Sequence, residues 1–172
     1  MVRAMFPGTF DPIHYGHIDI AERATKLFDE LVIAVYDKPL KSLLFSPEER
    51  IELVNRTFQG CPKIRVVGYS GLTINTAHKL DVQVLVRGLR VFSDFEFEFR
   101  MALVNHRLAQ DVESVALITS EAHTFLSSST VREIAMLDGD ISSMVPPYVQ
   151  EAFMRKLHGM SDSQKPANAL RD

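Results

Sequence analysis

The chain has 172 residues, of which 46% are hydrophobic and 24% are charged, and its formal net charge is −3. This length and composition suit one soluble domain with a substantial core. The excess of acidic residues argues against nucleic acid or an anionic membrane as the main partner, because both attract clustered Lys and Arg. The single cysteine, Cys61, excludes an internal disulfide, and no apolar run approaches the roughly 20 residues that span a bilayer. We therefore expect a cytoplasmic protein without a leader peptide.

Short apolar runs alternate with amphipathic segments from the start of the chain. The run from Val2 to Phe6 predicts a strand, and the helical pattern after it places several residues on one side: His17, Ile20, Ala21, Ala24, Leu27 and Phe28. The run LVIAVY, at 31–36, is apolar throughout, which is typical of a parallel strand covered on both faces. In SPEERIELVNRTF, Ser46, Pro47 and Glu49 predict a helix that starts with a capping box.

The same alternation continues to the end of the chain. Strands are predicted at 63–69, 82–86 and 113–119, and helices at 72–80 and 148–157. The pattern predicts an α/β fold: a single Rossmann-like domain in which a five-stranded parallel sheet carries helices on both faces. The domain is expected to cover residues 1–158, and the polar segment 159–172 is expected to be a disordered tail.

The segment DFEFEF, at 94–99, fits two local structures. Its alternation of apolar and acidic residues is that of a half-buried strand, but a longer helical stripe runs through it: Phe92, Phe95, Phe99, Ala102 and Leu103. Because the helical pattern lasts about three turns, we predict a helix here.

The turn GTFDPIHYGH, at 8–17, directly follows the first predicted strand and contains more polar side chains than a simple chain reversal requires. At the carboxyl end of a parallel strand, the N-terminus of a helix offers free N–H groups to phosphate. Gly8 would let a ligand approach the backbone, and Thr9 adds a hydroxyl. His14 and His17 are three residues apart and can lie on one side of the first helical turn. We therefore interpret this turn as a phosphate-binding site.

These motifs resemble a known family. GTFDPIHYGH resembles the T/HxGH signature of the nucleotidyltransferase superfamily, and SSSTVRE, at 127–133, resembles its second signature at the start of a late helix. Between them, RGLRVFSDFEFEF is similar to the segment that marks phosphopantetheine adenylyltransferases. The resemblance covers about residues 2–158. It implies transfer of the adenylyl group of ATP to 4′-phosphopantetheine, which gives dephospho-coenzyme A and pyrophosphate in coenzyme A biosynthesis.

The resemblance also implies roles for individual residues. His17, Thr9 and Lys41 would be catalytic, with His17 donating to the reacting α-phosphate and His14 left open as a helper. The ATP-binding set would be Thr9, Phe10, His17, Gly88, Leu89, Arg90, Glu98, His123, Thr124, Phe125, Leu126, Ser127, Ser128 and Ser129. The phosphopantetheine-binding set would be Thr9, Lys41, Leu72, Thr73, Arg87 and Asn105. Thr73 replaces an expected apolar residue.

Partners and metal follow from the same resemblance. It implies Mg²⁺ that arrives with ATP, a homohexamer, and coenzyme A as a feedback inhibitor. No protein metal ligands are expected. Thr130 and Glu133 can form a capping box, which would leave the hydroxyls of Ser127, Ser128 and Ser129 for a ligand.

Adenylyl transfer requires the acceptor phosphate to be aligned with the α-phosphorus of ATP. It requires no strong general base, because the acceptor phosphate is already anionic near neutral pH. We therefore expect direct in-line displacement without a covalent enzyme intermediate. Alternatives on the same fold are a nicotinamide mononucleotide adenylyltransferase and a cytidylyltransferase. A third alternative is a nucleotide sensor without catalysis.

Overall fold

The computed structural model describes residues 1–37 and 43–159. Strands and helices alternate along the chain as β1 (Arg3–Gly8), α1 (Tyr15–Leu27), β2 (Glu30–Tyr36), α2 (Pro47–Thr57), β3 (Ile64–Tyr69), α3 (Thr73–Lys79), β4 (Val84–Leu89), α4 (Phe92–Leu108), β5 (Glu113–Ile118), α5 (Ser128–Met136) and α6 (Pro147–His158). Of the predicted tail, only Gly159, which follows α6, lies within the described residues.

The five strands form one parallel sheet in the order β3-β2-β1-β4-β5. The predicted fold class, a five-stranded parallel sheet with helices in an α/β arrangement, is confirmed. β1 extends two residues beyond the predicted Phe6, because Pro7 and Gly8 still pair in register with Ala34 and Val35 of β2. β2 lies inside the sheet, and its residues 31–35 are fully buried, as its unbroken apolar run predicts.

The first two helices begin and pack largely as predicted. Ser46 accepts the N–H of Glu49 while the Glu49 carboxylate accepts the N–H of Ser46, so α2 has the predicted capping box. In α1, Ile20 and the two alanines of the predicted stripe are buried. Leu27, which has the same helical spacing, is 62% exposed. α1 ends at this residue, and Phe28 packs against the core instead.

The ambiguous segment DFEFEF lies within α4, so the helix prediction is confirmed. All seventeen residues of α4 are described, and none of them is buried. The aromatic stripe that indicated the helix is exposed: Phe92, Phe95 and Phe99 stack on one another with ring centroids 6.2 and 5.7 Å apart. The stripe therefore does not contribute to the core of this chain.

The chain reverses its path across the sheet between β1 and β4. From β1 it passes outward to β2 and β3, and then returns to place β4 on the other side of β1. Loops that leave neighbouring strands in opposite directions open a crevice at their carboxyl ends, where α/β sheets bind ligands. Across the two described ranges, no helix combines the length and apolarity needed to cross a membrane.

Candidate active site

A cavity of about 670 Å³ opens at the carboxyl ends of β1 and β4. Most of the residues predicted for the site line it together: Thr9, Phe10, His17, Leu72, Thr73, Arg87, Gly88, Arg90, Glu98, Asn105, Ser127, Ser128 and Ser129. They come from five different segments of the chain. The fold thus brings the first turn, the RGLR segment and the serine segment to one place.

Five predicted residues are described but do not line this cavity. Leu89 is the last residue of β4, and its carbonyl accepts the N–H of Thr119. His123, Thr124, Phe125 and Leu126 precede Ser127 in the chain, and Leu126 is fully buried. Lys41 falls within 38–42, outside the described residues.

Phe10 determines the local conformation and packing of the first turn. Its backbone has a φ of +50°, which is unusual for a bulky residue, and its ring is almost completely buried. A Cβ atom on Gly8 would lie 3.0 Å from this ring. A side chain at position 8 would press on the Phe10 ring, so glycine suits the packing here as well as the approach of a ligand.

His17 forms the floor of the cavity at the start of α1, between the rings of Phe10 and His14. The Phe10 ring meets it edge-on at 4.9 Å, and the His14 ring stacks on it at 3.7 Å. Burial, followed by the charges of His14, Arg90 and Arg87, lowers the pKa of His17 well below its ordinary value. The backbone N–H of His14 donates to Nδ1 of His17 at 3.3 Å. The neutral ring therefore carries its proton on Nε2, which makes it a hydrogen-bond donor.

His14 is the N-cap of α1 and is buried beneath the cavity. Burial, with the charges of Arg90 and His123, lowers its pKa to about 3. Among the described residues, its Nδ1 atom has no hydrogen-bond partner. Both motif histidines are therefore neutral near pH 7.

Two arginines enter the cavity, and each is held in the same way. Arg87 donates from Nε and Nη2 to the carboxylate of Glu98 at 2.8 and 2.7 Å, and from Nη1 to the Pro7 carbonyl at 2.8 Å. Arg90 donates from Nε and Nη2 to the carboxylate of Asp94, both at 3.0 Å. Its Nη1 donates to the Leu126 carbonyl at 2.8 Å. The RGLR segment is thereby hydrogen-bonded to the end of β1, to the segment before α5 and to α4.

The start of α5 differs from the prediction. Ser127, rather than Thr130, is the N-cap, and its hydroxyl accepts the N–H of Thr130 at 3.0 Å. Ser128 donates its hydroxyl to the Pro12 carbonyl at 3.0 Å. The helix thus starts three residues earlier than expected, and two of the three serine hydroxyls are already engaged. The first backbone N–H groups of a helix have no partner within that helix, so those at the start of α5 are suited to donate hydrogen bonds to a phosphate.

The opposite wall of the cavity is less polar. Leu72 is exposed at the cavity mouth as the N-cap of α3, and the hydroxyls of Thr73 and Tyr69 lie 3.1 Å apart. Thr73 therefore satisfies its hydroxyl with a neighbouring tyrosine, which explains how a polar residue is accommodated here. Asn105 faces them from α4.

A buried support beneath the first turn was missed by the sequence reasoning. Arg50 of α2 is completely buried and donates from Nη1 to the carbonyls of Thr9 and Tyr36, both at 2.7 Å. Asp11 is also buried; its carboxylate accepts the N–H groups of Leu44 and Phe45 at 2.9 Å. Arg50 lies on a helix with ordinary amphipathic spacing, so no local pattern distinguishes it from a surface arginine.

The donor set does not suit a protein-bound metal centre. No cluster of three His, Cys, Asp or Glu side chains among the described residues is arranged to hold a metal ion. The two carboxylates nearest the cavity, Asp94 and Glu98, are paired with arginines.

Comparisons with known proteins place this fold and site in context. The family model described as cytidylyltransferase-like matches residues 5–134. A phosphopantetheine adenylyltransferase of Roseiflexus sp. (strain RS-1) is 47% identical over 155 residues, which are 90% of this chain and 97% of that protein. Proteins of the same name from Desulfitobacterium hafniense (strain DCB-2) and Dictyoglomus thermophilum are 44% and 43% identical, over 90% and 91% of this chain and 95% of each relative.

A solved structure shares the fold at much lower identity. The crystal structure of a Vibrio parahaemolyticus protein, proposed to be a nicotinate-nucleotide adenylyltransferase, superposes with a TM-score of 0.71. The match covers 94% of this chain and 98% of that one at 20% identity. At this identity, the likeness supports the fold alone.

Proposed function

The chain belongs to the phosphopantetheine adenylyltransferase family, and from that premise we propose that it transfers the adenylyl group of ATP to 4′-phosphopantetheine. The products are dephospho-coenzyme A and pyrophosphate. The observation that carries the proposal is the single cavity in which neutral His17, two oriented arginines and the N-terminus of α5 meet. These groups can donate hydrogen bonds to phosphate oxygens. The reaction must align three such anionic groups: the acceptor phosphate, the α-phosphate of ATP and the leaving pyrophosphate.

The two substrates are proposed to occupy different sides of the cavity. The triphosphate of ATP fits the side formed by Arg90 and the start of α5, because Arg90 is bonded to the carbonyl directly before Ser127. The acceptor phosphate fits Arg87, which lies next to the first turn through Pro7. The pantetheine arm would then follow the less polar wall toward Leu72 and Asn105.

In the proposed reaction, an oxygen of the acceptor phosphate forms a bond to the α-phosphorus of ATP while the bond to the pyrophosphate oxygen breaks. The Nε2–H of His17 donates to a non-bridging oxygen of the reacting phosphate, where charge develops. The acceptor is already anionic, so no side chain has to remove a proton. A covalent intermediate is unnecessary, and the exposed Cys61 lies in the turn before β3, at the opposite end of the sheet.

Mg²⁺ is proposed to enter with the phosphates of ATP and with water, because the nearest carboxylates are occupied by arginines. When bound, it neutralises charge on the leaving pyrophosphate. The arginines and helix N-termini of this chain then bind and orient the phosphates.

The exposed stripe on α4 supports self-association. Phe92, Phe95, Phe99 and Leu103 are exposed along α4, and none of them lines the cavity that Asp94, Glu98 and Asn105 line. A contiguous exposed aromatic surface of this kind marks a protein interface. We propose that it packs against further copies of this chain in a homohexamer, and that coenzyme A, which contains both substrate halves, inhibits at the same cavity.

A pyrophosphate-release assay tests the proposed reaction. Purified protein with Mg²⁺ and ATP is offered 4′-phosphopantetheine, nicotinamide mononucleotide or a phosphorylated alcohol, and CTP replaces ATP in a parallel series. We expect release only with ATP and 4′-phosphopantetheine, and much less with His17→Ala. Release with a different pair would replace the proposed substrates, and ATP binding without release for any acceptor would favour a nucleotide sensor.

A further inference from the structure

Asp94 and Glu98 occupy successive turns on the cavity side of α4, and each binds one arginine through the same edge of its guanidinium. The contacts are bidentate in both cases, and all four distances lie between 2.7 and 3.0 Å. In both cases Nη1 is bonded to a backbone carbonyl of a phosphate-binding segment. Arg87 and Arg90, three residues apart in the RGLR segment, therefore make the same set of contacts.

This geometry fixes which donors are available to a ligand. A guanidinium has five N–H groups, of which Nε carries one and each Nη carries two. Within the described part of the chain, three of the five are engaged on each arginine, which leaves one on Nη1 and one on Nη2. These two remain for a phosphate.

We propose that Asp94 and Glu98 are positioning residues that orient Arg90 and Arg87, respectively, and so assign the two anionic substrates to separate arginines. This inference rests on the proposed function. It gives Glu98 a role through Arg87, whereas the family resemblance implies direct contact with ATP. It also identifies Asp94, which the sequence reasoning did not select.

Two further observations support a role beyond surface ion pairing. Asp94 accepts the backbone N–H of Arg90 at 3.1 Å as well as its side chain, so the residue fixes both the main chain and the guanidinium. Both carboxylates are largely shielded, with side chains 20% and 14% exposed. Although burial opposes ionisation, the hydrogen bonds from Arg90 lower the pKa of Asp94.

Removing either carboxylate has two opposing effects on a phosphate ligand. A nearby negative charge is lost, which strengthens anion binding, but the arginine becomes mobile and must be ordered when the ligand binds. In this site the carboxylate lies on the far edge of the guanidinium, bonded through Nε, while the ligand would meet the remaining Nη donors. We therefore expect the loss of orientation to dominate.

The test measures binding of each substrate separately by titration calorimetry, using MgATP alone and 4′-phosphopantetheine alone. Asp94→Asn keeps a side-chain oxygen that can accept the Arg90 N–H, so the start of α4 is preserved. We expect it to weaken ATP binding by about five- to tenfold and to change 4′-phosphopantetheine binding by less than about twofold. Glu98→Gln should show the reverse. Glu96→Gln, on the exposed side of the same helix beside Arg100, is the matched control.

A double-variant comparison distinguishes positioning from direct contact. If Asp94 acts through Arg90, then Asp94→Asn should cause no further loss of ATP affinity in an Arg90→Ala background. Unchanged or tighter ATP binding by Asp94→Asn overturns the proposal, as does a further loss in the double variant. Weaker ATP binding by Glu98→Gln would instead support direct contact and overturn the assignment of Glu98.

Failure of the proposed function gives a different result from failure of this inference. If the wild-type protein binds MgATP but releases no pyrophosphate with 4′-phosphopantetheine, the proposed acceptor is wrong. The role of Asp94 can still be tested in that case, by comparing the MgATP affinities of Asp94→Asn and Glu96→Gln.

Discussion

The protonation of His17 follows from two contacts. Burial keeps its ring neutral, and the hydrogen bond from the His14 backbone places the remaining proton on Nε2. A neutral donor contributes mainly when charge develops on the phosphate oxygen, so it should affect the transition state more than the ground state.

Replacing His17 should therefore separate turnover from binding. His17→Ala is expected to lower kcat by on the order of 10²-fold or more, while ATP affinity changes much less. Steady-state pyrophosphate release and calorimetric titration with MgATP measure the two quantities. A normal kcat in this variant would remove His17 from the mechanism.

Each of the two cavity arginines should bind a different substrate. Arg87→Ala is expected to weaken mainly 4′-phosphopantetheine and Arg90→Ala mainly ATP, because their carbonyl partners belong to the first turn and to the segment before α5, respectively. Each variant is titrated with each substrate alone. Equal losses for both substrates would show that the arginines act on a shared phosphate position.

The neutral histidines also make stability depend on pH. The unfolded chain binds protons on His14 near pH 6.5, whereas the folded protein does so only near pH 3, so the free energy of unfolding falls as pH decreases below 6.5. His14 alone should account for roughly 2 kcal/mol between pH 8 and pH 5. Urea unfolding of wild type and His14→Gln at both values measures this, and equal pH dependence in the two proteins would contradict it.

Residues with a local signature were predictable from the sequence, and residues that act through distant partners were not. His17, Arg87 and Arg90 follow strands or belong to short motifs, and the structure places all three on the cavity wall. Arg50 and Asp11 act on segments 41 and 33 residues away, respectively, through carbonyl and N–H groups that no side-chain pattern reveals.

At the scale of elements, α2 supports the site from below through Arg50. Its guanidinium joins the end of β1 to the end of β2 by bonding the carbonyls of Thr9 and Tyr36. The helix therefore holds together the two strand ends that frame the first turn.

Arg50→Met should destabilise the protein by about 3 kcal/mol or more, because buried carbonyls lose a charged donor. The control is Arg56→Met on the same helix, where an exposed arginine lies over the ring of Tyr148 and about 1 kcal/mol or less is expected. Urea unfolding compares the two variants. Equal losses would mean that the carbonyl contacts of Arg50 contribute little.

Two elements show where local sequence signals succeed and where they fail. The three-turn stripe correctly identified α4 as a helix, but periodicity does not reveal whether a stripe faces the core or another molecule. At α5, two serine or threonine positions could each have capped the helix. The choice of Ser127 places Ser128 against the Pro12 carbonyl, a tertiary contact 116 residues away.

At the scale of the whole molecule, the strand order places the site. The reversal between β1 and β4 brings the first turn, RGLR and the start of α5 together, although Pro12 of the first turn and Ser128 of α5 are 116 residues apart. The α4 helix has two distinct surfaces in this arrangement. One carries the carboxylates that are hydrogen-bonded to the cavity arginines, and the other presents the aromatic stripe to solvent.

The exposed stripe predicts that the protein assembles through α4. Phe92 is 87% exposed, and the stripe continues through Phe95, Phe99 and Leu103, none of which lines the cavity. Leaving such a surface in water is unfavourable, so copies of the chain should bury it against one another. Sedimentation velocity at micromolar concentration should therefore show a species larger than a monomer, a hexamer if the proposed assembly is right, and the double variant Phe95→Ser/Phe99→Ser should sediment as smaller species. Leu27→Ser, which removes an equally exposed apolar side chain from α1, should leave the assembly intact, whereas a monomeric wild-type protein would refute the prediction.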